Sequence, residues 1–247
     1  MVVQSLRAHR RSCIVAVAVF LLPVVFVAPA GAIRIRVSQE SRPGAGDFHQ
    51  HILGNIQVMM SKEGVDHAYA YNEWDRYSFN GTRPVLRADV SHLFFIETRE
   101  GLTLFIVHDA VDNPDGGSAA VRVQIVGNRA HARLLLQDDS VSQSDSYNVA
   151  ANGSDFYAWH DWYACCTDGL VLGPLAGPWQ VYMQFIGDEA ASDTSFVDGL
   201  SRWEALSDKG WIPLELEKGR RVLLEPTGSF VLKRPLDEQE LRVRIPR

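Results

Sequence analysis

The residues best suited to chemistry are aspartates, concentrated in two short stretches of the chain. Residues 108–117 read HDAVDNPDGG, and residues 137–139 read QDD. Carboxylate and amide oxygens on a flexible loop are the ligands that Ca²⁺ prefers in proteins. If the two stretches meet, they offer a Ca²⁺ site with the candidate ligands Asp109, Asp112, Asn113, Asp115, Asp138 and Asp139. The alternative is ordinary turn chemistry, because Asp, Asn, Pro and Gly are common turn residues.

A second candidate site lies in residues 159–179, which read WHDWYACCTDGLVLGPLAGPW. Aromatic side chains of this size are either buried or used in binding. Because successive residues of a strand point to opposite faces, one face of the strand before the cysteines faces the core. The other face either stacks on a sugar or peptide or is covered by a second sheet. The candidate ligand-binding residues are Trp159, Trp162, Tyr163, Cys165, Cys166 and Asp168.

The adjacent pair Cys165 and Cys166 has three chemical states open to it. The cysteines are free thiols, a vicinal disulfide, or partners of another chain. A disulfide prefers Cα atoms about 5.5 Å apart, whereas residues joined by a trans peptide lie about 3.8 Å apart. A vicinal disulfide therefore distorts the backbone, and a turn ending in Gly169 tolerates that distortion. An oxidising compartment favours the disulfide over free thiols.

Three short motifs follow one another in this stretch: CCTDG at 165–169, GPL at 173–175 and GPW at 177–179. Together they resemble a segment of uncharacterised secreted bacterial β-sandwich domains. Those domains often place a strand, an Asp-containing Gly-rich loop, a second strand and an Asp-Asp pair before it, as residues 102–139 do here. The resemblance covers about residues 102–226 and leaves 33–98 outside. It implies a secreted β-sandwich and assigns no role to any residue.

The amino terminus has the pattern of a secretory signal peptide. Three arginines precede the apolar run 14–27, and small residues fit cleavage after Ala30 or Ala32. The run is shorter than the roughly 18–20 apolar residues of a membrane-spanning helix, which disfavours the alternative of an uncleaved anchor. We predict a signal peptide over 1–32 and a mature chain, 33–247, that is secreted or periplasmic and has no membrane span.

The charge of the chain limits its partners. Its 24 basic and 30 acidic residues give −6, and removing three arginines with residues 1–32 leaves 21 against 30, or −9. Nucleic acid is excluded as a partner, because its phosphates require clustered Lys and Arg. Three classes remain: a non-enzymatic module that binds an extracellular carbohydrate or protein, a structural envelope or matrix component, and a hydrolase. The hydrolase would use carboxylates or His108 brought together by the fold.

Sequence periodicity predicts an all-β fold. Apolar and polar residues alternate along most of the chain, and turn signals separate the alternating runs. The predicted strands are 33–37, 55–60, 68–71, 85–90, 93–98, 102–108, 120–126, 131–137, 156–164, 180–186, 212–216, 221–224, 229–232 and 241–245. We expect an antiparallel, jelly-roll-like β-sandwich with at most one or two short helices, the best helical candidate being 197–206. A closed barrel is the alternative.

We expect one domain over 33–247, with a weak internal boundary near 99–101. If 102–108, 120–126 and 131–137 form a simple meander, the acidic loop and Asp138-Asp139 lie at the same end of the sheet. In that arrangement the Cys165-Cys166 turn lies at the opposite end.

Overall fold

The structure, a computed structural model, describes residues 33–70, 78–81, 83–139, 145–186 and 197–227. They belong to one compact unit, Ala32–Arg247. Fourteen strands are formed by the described residues: β1 (Arg34–Gln39), β2 (Ile52–Met60), β3 (Val90–Thr98), β4 (Gly101–His108), β5 (Gly117–Val126), β6 (Arg133–Gln137), β7 (Ser146–Val149), β8 (Asp155–Trp162), β9 (Asp168–Leu175), β10 (Gln180–Phe185), β11 (Val197–Asp198), β12 (Arg202–Ser207), β13 (Gly210–Leu214) and β14 (Val222–Thr227).

Helical structure in the described residues amounts to a 3₁₀ turn, Phe48–Gln50, and one short helix, α1 (Val65–Tyr69). The all-β prediction with one or two short helices is therefore confirmed. Within the same residues, no helix has the length and apolar character needed to cross a membrane.

The strands form one continuous sheet in the order β6-β9-β4-β3-β12-β2-β1-β14-β10-β5-β8-β7, with β11 added to β5 and β13 to β12. Most neighbours are antiparallel, but β3 runs parallel to both β2 and β12. The sheet is therefore mixed rather than purely antiparallel. Its two terminal strands approach each other, because the hydroxyl of Tyr147 on β7 reaches the carbonyl of Asp138, which follows β6. The sheet thus nearly closes on itself.

Strand β5 shows why the sequence adopts this register. Val121, Val123 and Ile125 point inward and are buried, whereas Arg122 and Gln124 point outward and are partly exposed. Fully burying an aliphatic side chain stabilises the fold by roughly 1.5–3 kcal/mol. A one-residue slip would exchange the two faces and lose that burial at every position. The largest fully buried side chains are Trp179, Trp203, Tyr69, Phe94, Phe95, Phe105, Phe156 and Phe185.

Three local predictions were wrong. Residues 68–71 were predicted as a strand, but Val65–Tyr69 is the helix α1. Residues 85–90 are not a strand, and only Val90 belongs to one. Residues 197–206 form strands β11 and β12 instead of a helix, with Gly199 (φ +70°) interrupting the run between them. The predicted strands 229–232 and 241–245 lie outside the described residues.

The predicted meander was also wrong, because β4, β5 and β6 are not neighbours. Strand β6 pairs antiparallel with β9, and β9 pairs antiparallel with β4. Two reversals leave β4 and β6 pointing the same way, so the acidic loop and Asp138 do lie at the same end. The cysteine turn lies at this end too, and not at the opposite one, since Trp162 at the end of β8 pairs with Gly117 at the start of β5. We call this end, with residues 109–116, 138–139 and 163–167, the polar end.

Candidate functional site

A half-buried set of polar and aromatic side chains lies on the outward faces of β8, β5 and β10. Tyr157 on β8 lies opposite Arg122 on β5, which lies opposite Gln184 on β10. Because side chains of paired residues share a face, these three form a ladder across the sheet. We call the following half-buried residues the outer face: Arg122, Gln124, Tyr157, Trp159, Tyr182 and Gln184.

Two open grooves follow β10 across this part of the sheet. The first groove, of about 270 Å³, is lined by Gly44, Arg122, Gln124, Tyr182, Gln184, Gly219 and Arg221. The second groove, of about 320 Å³, is lined by Val126, Gly127, Pro178, Trp179, Gln180, Glu225 and Pro226. Since Gln180, Tyr182 and Gln184 alternate along one strand, their side chains share one face. The two grooves are therefore successive segments of one surface.

Ion pairs and aromatic rings hold the arginines of the first groove in place. Arg122 donates to Asp155 (3.2 Å) and lies 5.2 Å from the ring centre of Tyr157. Arg221 donates to the buried carboxylate of Glu40 (2.5 Å) and lies 5.9 Å from the ring of Tyr182. A guanidinium group fixed between a carboxylate and a ring keeps its remaining N–H donors oriented.

The carboxylate of Glu40 is stabilised as the charged form. Burial by itself raises the pKa of Glu40, but hydrogen bonds from Arg221 and from the backbone of Gly46 outweigh burial and leave the pKa below its usual value. The carboxylate also accepts from the backbone N–H of Gly44. Glu40 therefore joins the loop 41–47 to one wall of the first groove.

At the polar end, the carboxylate of Asp109 is surrounded by hydrogen-bond donors. It accepts from the backbone N–H groups of Asp89 (2.9 Å) and Ala110 (2.8 Å), from Asn113 Nδ2 (2.9 Å) and from Trp162 Nε1 (3.1 Å). Both Asp109 and Asn113 are buried. Two predicted calcium ligands thus brace the loop, whereas Asp112 and Asp115 are exposed.

The cysteine pair forms the predicted vicinal disulfide, with Cα atoms 3.7 Å apart. The turn is hydrogen-bonded to the acidic loop: Cys165 N donates to the carbonyl of Asn113 (2.6 Å), and Asp112 N donates to the carbonyl of Cys165 (2.9 Å). Cys165 has φ +101°, which L-residues rarely adopt. The disulfide therefore belongs to the scaffold that links two loops of the polar end.

The predicted ligand-binding residues do not form one surface. Trp162 and Asp168 are buried, the cysteines are half-buried, and Tyr163 is 74% exposed. Trp159 belongs to the outer face. Strand alternation had separated Trp159 from Trp162 correctly, and the structure shows that the Trp162 face is the core.

The disulfide leads to a prediction about thiol reactivity. Cys165 and Cys166 of the native protein should not react with iodoacetamide, because alkylation requires a thiolate and the disulfide leaves none at either position. After mild reduction, two alkyl groups should add within 165–166, as read by mass spectrometry of the peptide. Serine at both positions should remove this labelling and provides the control. Stoichiometric labelling of unreduced native protein would contradict the disulfide.

A second group at the polar end consists of three carboxylates and two tyrosines, the acid cluster: Tyr69, Asp138, Asp145, Tyr147 and Asp168. The hydroxyl of Tyr147 lies 2.5 Å from the carbonyl oxygen of Asp138 and 3.2 Å from Asp145 Oδ2. The backbone N–H of Asp161 donates to Asp145 Oδ1 (3.0 Å) and to Asp168 Oδ2 (3.1 Å). One donor shared by two carboxylates brings them into direct electrostatic contact.

Burial makes these carboxyl groups weaker acids than exposed aspartates. It raises the pKa of Asp145 to about 6. Burial, followed by repulsion from Asp145 and Asp138, raises the pKa of Asp168 well above its usual value. Burial also raises the pKa of Asp138 well above normal, although the Tyr69 hydroxyl, 2.5 Å from Oδ2, opposes the rise. Asp138 and Asp168 therefore hold their protons to a higher pH than an exposed aspartate does.

Two buried histidines form a pair that sequence reasoning missed. His108 Nε2 lies 2.9 Å from His160 Nδ1, and His108 Nδ1 lies 3.0 Å from Ser91 Oγ. The ring of His108 stacks on Trp162 at 5.4 Å. Burial lowers the pKa of His160 to about 3, and burial followed by repulsion from His160 lowers that of His108. Both histidines are thus neutral core residues. Strand alternation, which places both on inward positions of β4 and β8, was the sequence signal that could have predicted their burial.

Of the predicted calcium ligands, Asp109 and Asn113 belong to the Asp109 network and Asp138 to the acid cluster, whereas Asp112 and Asp115 are exposed and Asp139 is half-buried. Among the described residues, no group of three or more His, Cys, Asp or Glu has a geometry able to hold a metal ion. Calcium binding therefore stays a prediction.

Comparisons of the chain with models of protein families, with curated proteins and with solved structures found no match. Function must therefore be argued from the sites themselves. The outer face is the accessible site, whereas the Asp109 network, the histidine pair and most of the acid cluster are buried. Sequence reasoning missed all of the outer face except Trp159, because its members come from three strands that are distant in the chain.

Proposed function

We propose that the protein is an exported binding module, without catalytic activity of its own, that binds carbohydrate on the outer face. The observation that carries this proposal is the first groove, which combines an aromatic ring, two amides and two oriented guanidinium groups in about 270 Å³. Carbohydrates present apolar C–H faces and hydroxyls that both donate and accept. Aromatic rings suit the former, and amide and guanidinium groups suit the latter.

The form of the groove favours a saccharide over a protein ligand. A specific protein interface buries about 800 Å² per partner and has an apolar centre. The lining of the first groove is mainly polar, and its side chains are already oriented by Asp155 and Glu40. Orientation before binding reduces the entropy lost on association. The described residues of this lining include no carboxylate or histidine.

The direct test is Tyr182→Ala, measured by calorimetric titration with soluble polysaccharides. We expect its affinity for the bound glycan to fall about tenfold or more, as for central aromatic contacts in other interfaces. Tyr163→Ala is the matched control, since Tyr163 is an exposed tyrosine at the polar end. Loss of binding in the control but not in Tyr182→Ala would move the site to the polar end. Absence of binding to every glycan would overturn the proposal.

A secreted hydrolase is the second candidate, and the acid cluster is the observation that favours it. A carboxyl group with a pKa of about 6, such as Asp145, has the acidity of a general acid at neutral pH. Turnover of a glycan or peptide that is lost in Asp145→Asn, with folding unchanged, would favour this class over the binding module.

Calcium binding at the polar end can be tested by thermal unfolding. At about fifty times its Kd, Ca²⁺ should stabilise the folded protein by about 2 kcal/mol through mass action. Substituting Asn for Asp at positions 112 and 115 should abolish that response, because these exposed residues are predicted ligands. Asp208→Asn, in the exposed turn between β12 and β13, is the control. An identical melting curve with and without millimolar Ca²⁺ would exclude the site.

A further inference from the structure

We infer that the outer face selects an uncharged oligosaccharide, and that ion pairs along β10 impose this choice. The inference rests on the proposed carbohydrate-binding function. Three arginines border the two grooves or their walls, and each is paired with a carboxylate. The pairs are Arg122 with Asp155 (3.2 Å), Arg221 with Glu40 (2.5 Å) and Arg36 with Glu225 (2.6 Å).

The pairing cancels the charge that an anionic sugar would need. Each guanidinium cation has a carboxylate in direct contact, so the formal charge of the three pairs sums to zero. The whole chain carries −6, and its long-range field repels polyanions. A uronate or sulfate group would lose hydration at the surface without meeting an uncompensated cation. Uronic and sulfated glycans are therefore disfavoured.

The same pairs remain suited to neutral hydroxyl groups. A paired guanidinium keeps N–H donors that its carboxylate does not use. Gln124 and Gln184 add an amide donor and acceptor each to the first groove. A sugar hydroxyl donates and accepts at once, so this alternation of donors and acceptors matches a row of hydroxyls.

The two grooves also determine the length of the ligand. Gln180 lines the second groove, and Tyr182 and Gln184 line the first. Four residues of a strand span about 13 Å, which is longer than a single sugar ring. Glu225 accepts from Gln180 Nε2 (3.1 Å) as well as from Arg36, so the second groove has the same paired chemistry. The occupant is therefore an oligomer that lies along β10.

The test is a change of selectivity by removal of one carboxylate charge. Wild-type protein and Asp155→Asn are titrated with neutral hexamers of glucan, mannan and xylan, with oligogalacturonate, and with a sulfated oligosaccharide. Wild type should bind one neutral hexamer at least tenfold more tightly than either anion. Asp155→Asn leaves Arg122 without its counter-charge and should bind oligogalacturonate roughly fivefold more tightly than wild type, with a gain that disappears in high salt.

Two further variants protect the result. Glu225→Gln removes the carboxylate that pairs with Arg36 and lines the second groove. It replaces Asp155→Asn in the experiment if that variant fails to fold. Asp208→Asn removes one exposed carboxylate away from the grooves and should leave selectivity unchanged. This inference would be overturned, and carbohydrate binding left intact, if wild type prefers an anion. The same holds if neither Asp155→Asn nor Glu225→Gln binds oligogalacturonate more tightly than wild type. Absence of binding to all five probes would overturn both.

Discussion

Replacement of Asp109 by Asn should lower the free energy of unfolding by about 2–4 kcal/mol, although the two side chains have the same shape. Asp109 has φ +68°, a conformation that Asn also tolerates, so the backbone need not change. The carboxylate accepts four different donors, whereas the amide of Asn offers one acceptor oxygen and adds a donor. At least one donor, either Trp162 Nε1 or the backbone N–H groups of Asp89 and Ala110, is then left without this acceptor, at a cost of about 1–3 kcal/mol. Loss of the charge weakens the remaining bonds.

The measurement is equilibrium unfolding in urea for wild type and Asp109→Asn. For a chain of this length the expected loss corresponds to a fall in melting temperature of roughly 4–16 °C. Asp115→Asn, at an exposed position of the same loop, is the matched control and should change stability by less than about 0.5 kcal/mol. Equal stability of the two variants would show that the Asp109 network does not brace the polar end.

The aspartates of the polar end also show what sequence can predict about a site. Their abundance suggested a calcium loop, and the alternative was turn chemistry. Asp89, Asp109, Asp112 and Asp139 all have positive φ, and Asp is among the few residues other than Gly that adopt it readily. Turn geometry therefore accounts for aspartate at these four positions. The sequence could predict that turns occur here, but φ signs are not visible in composition.

The faces of individual strands were predictable because they depend on local periodicity. Alternation along β8 predicts Phe156, His160 and Trp162 on one face and Tyr157 and Trp159 on the other, and the structure buries the first set. Alternation carries that information within a few residues. It could not show which face was the core in advance, because both faces are aromatic.

The order of the strands was not predictable by the same means. The meander hypothesis assumed that neighbours in the chain pair in the sheet, which holds for β3 and β4 but not for β5 and β6. Strand β5 pairs instead with β8 and β10, which lie tens of residues later. Such long-range pairing depends on the packing of the whole core, and no local pattern encodes it. The outer face exists only because of this pairing, so it could not be found from sequence.

The acid cluster gives the second large prediction, a contribution to stability that declines as pH rises from about 3.8 towards the raised pKa values of its carboxyl groups. In the unfolded chain, aspartates have a pKa near 3.8, whereas burial raises the pKa of Asp138 and Asp168 well above that value in the folded protein. The folded state thus binds more protons than the unfolded state. Stability from these groups is fully present below pH 3.8 and is lost as pH rises towards their folded pKa values. Each retained proton contributes a slope of about 1.4 kcal/mol per pH unit.

Buried histidines produce the opposite slope at lower pH. The pKa of His92 is lowered to about 4 and that of His160 to about 3, both mainly by burial, and that of His108 is lowered as well. Unfolded histidine binds a proton below about pH 6.5. These three groups therefore lower the free energy of unfolding of the protein as pH falls below that value. Between pH 4 and 6.5 the histidines and the acid cluster oppose each other. Above pH 6.5 the histidines no longer change their protonation, so the opposing slope disappears and the acid cluster lowers the unfolding free energy until its carboxyl groups have ionised.

Asp145→Asn isolates one member of the acid cluster. Asn imitates the protonated carboxyl and cannot ionise, so the variant should match wild type at pH 4 and exceed it above pH 6, the pKa that burial gives Asp145. Because Asp145 is partly exposed, solvent screening reduces the gain to about 1–2 kcal/mol. Urea unfolding at pH 4, 6 and 8 measures it, and Asp208→Asn, an exposed aspartate away from the cluster, is the control. Equal pH profiles for wild type and Asp145→Asn would mean that Asp145 is not held in a burial-raised state, and would remove the acidity that favours a hydrolase.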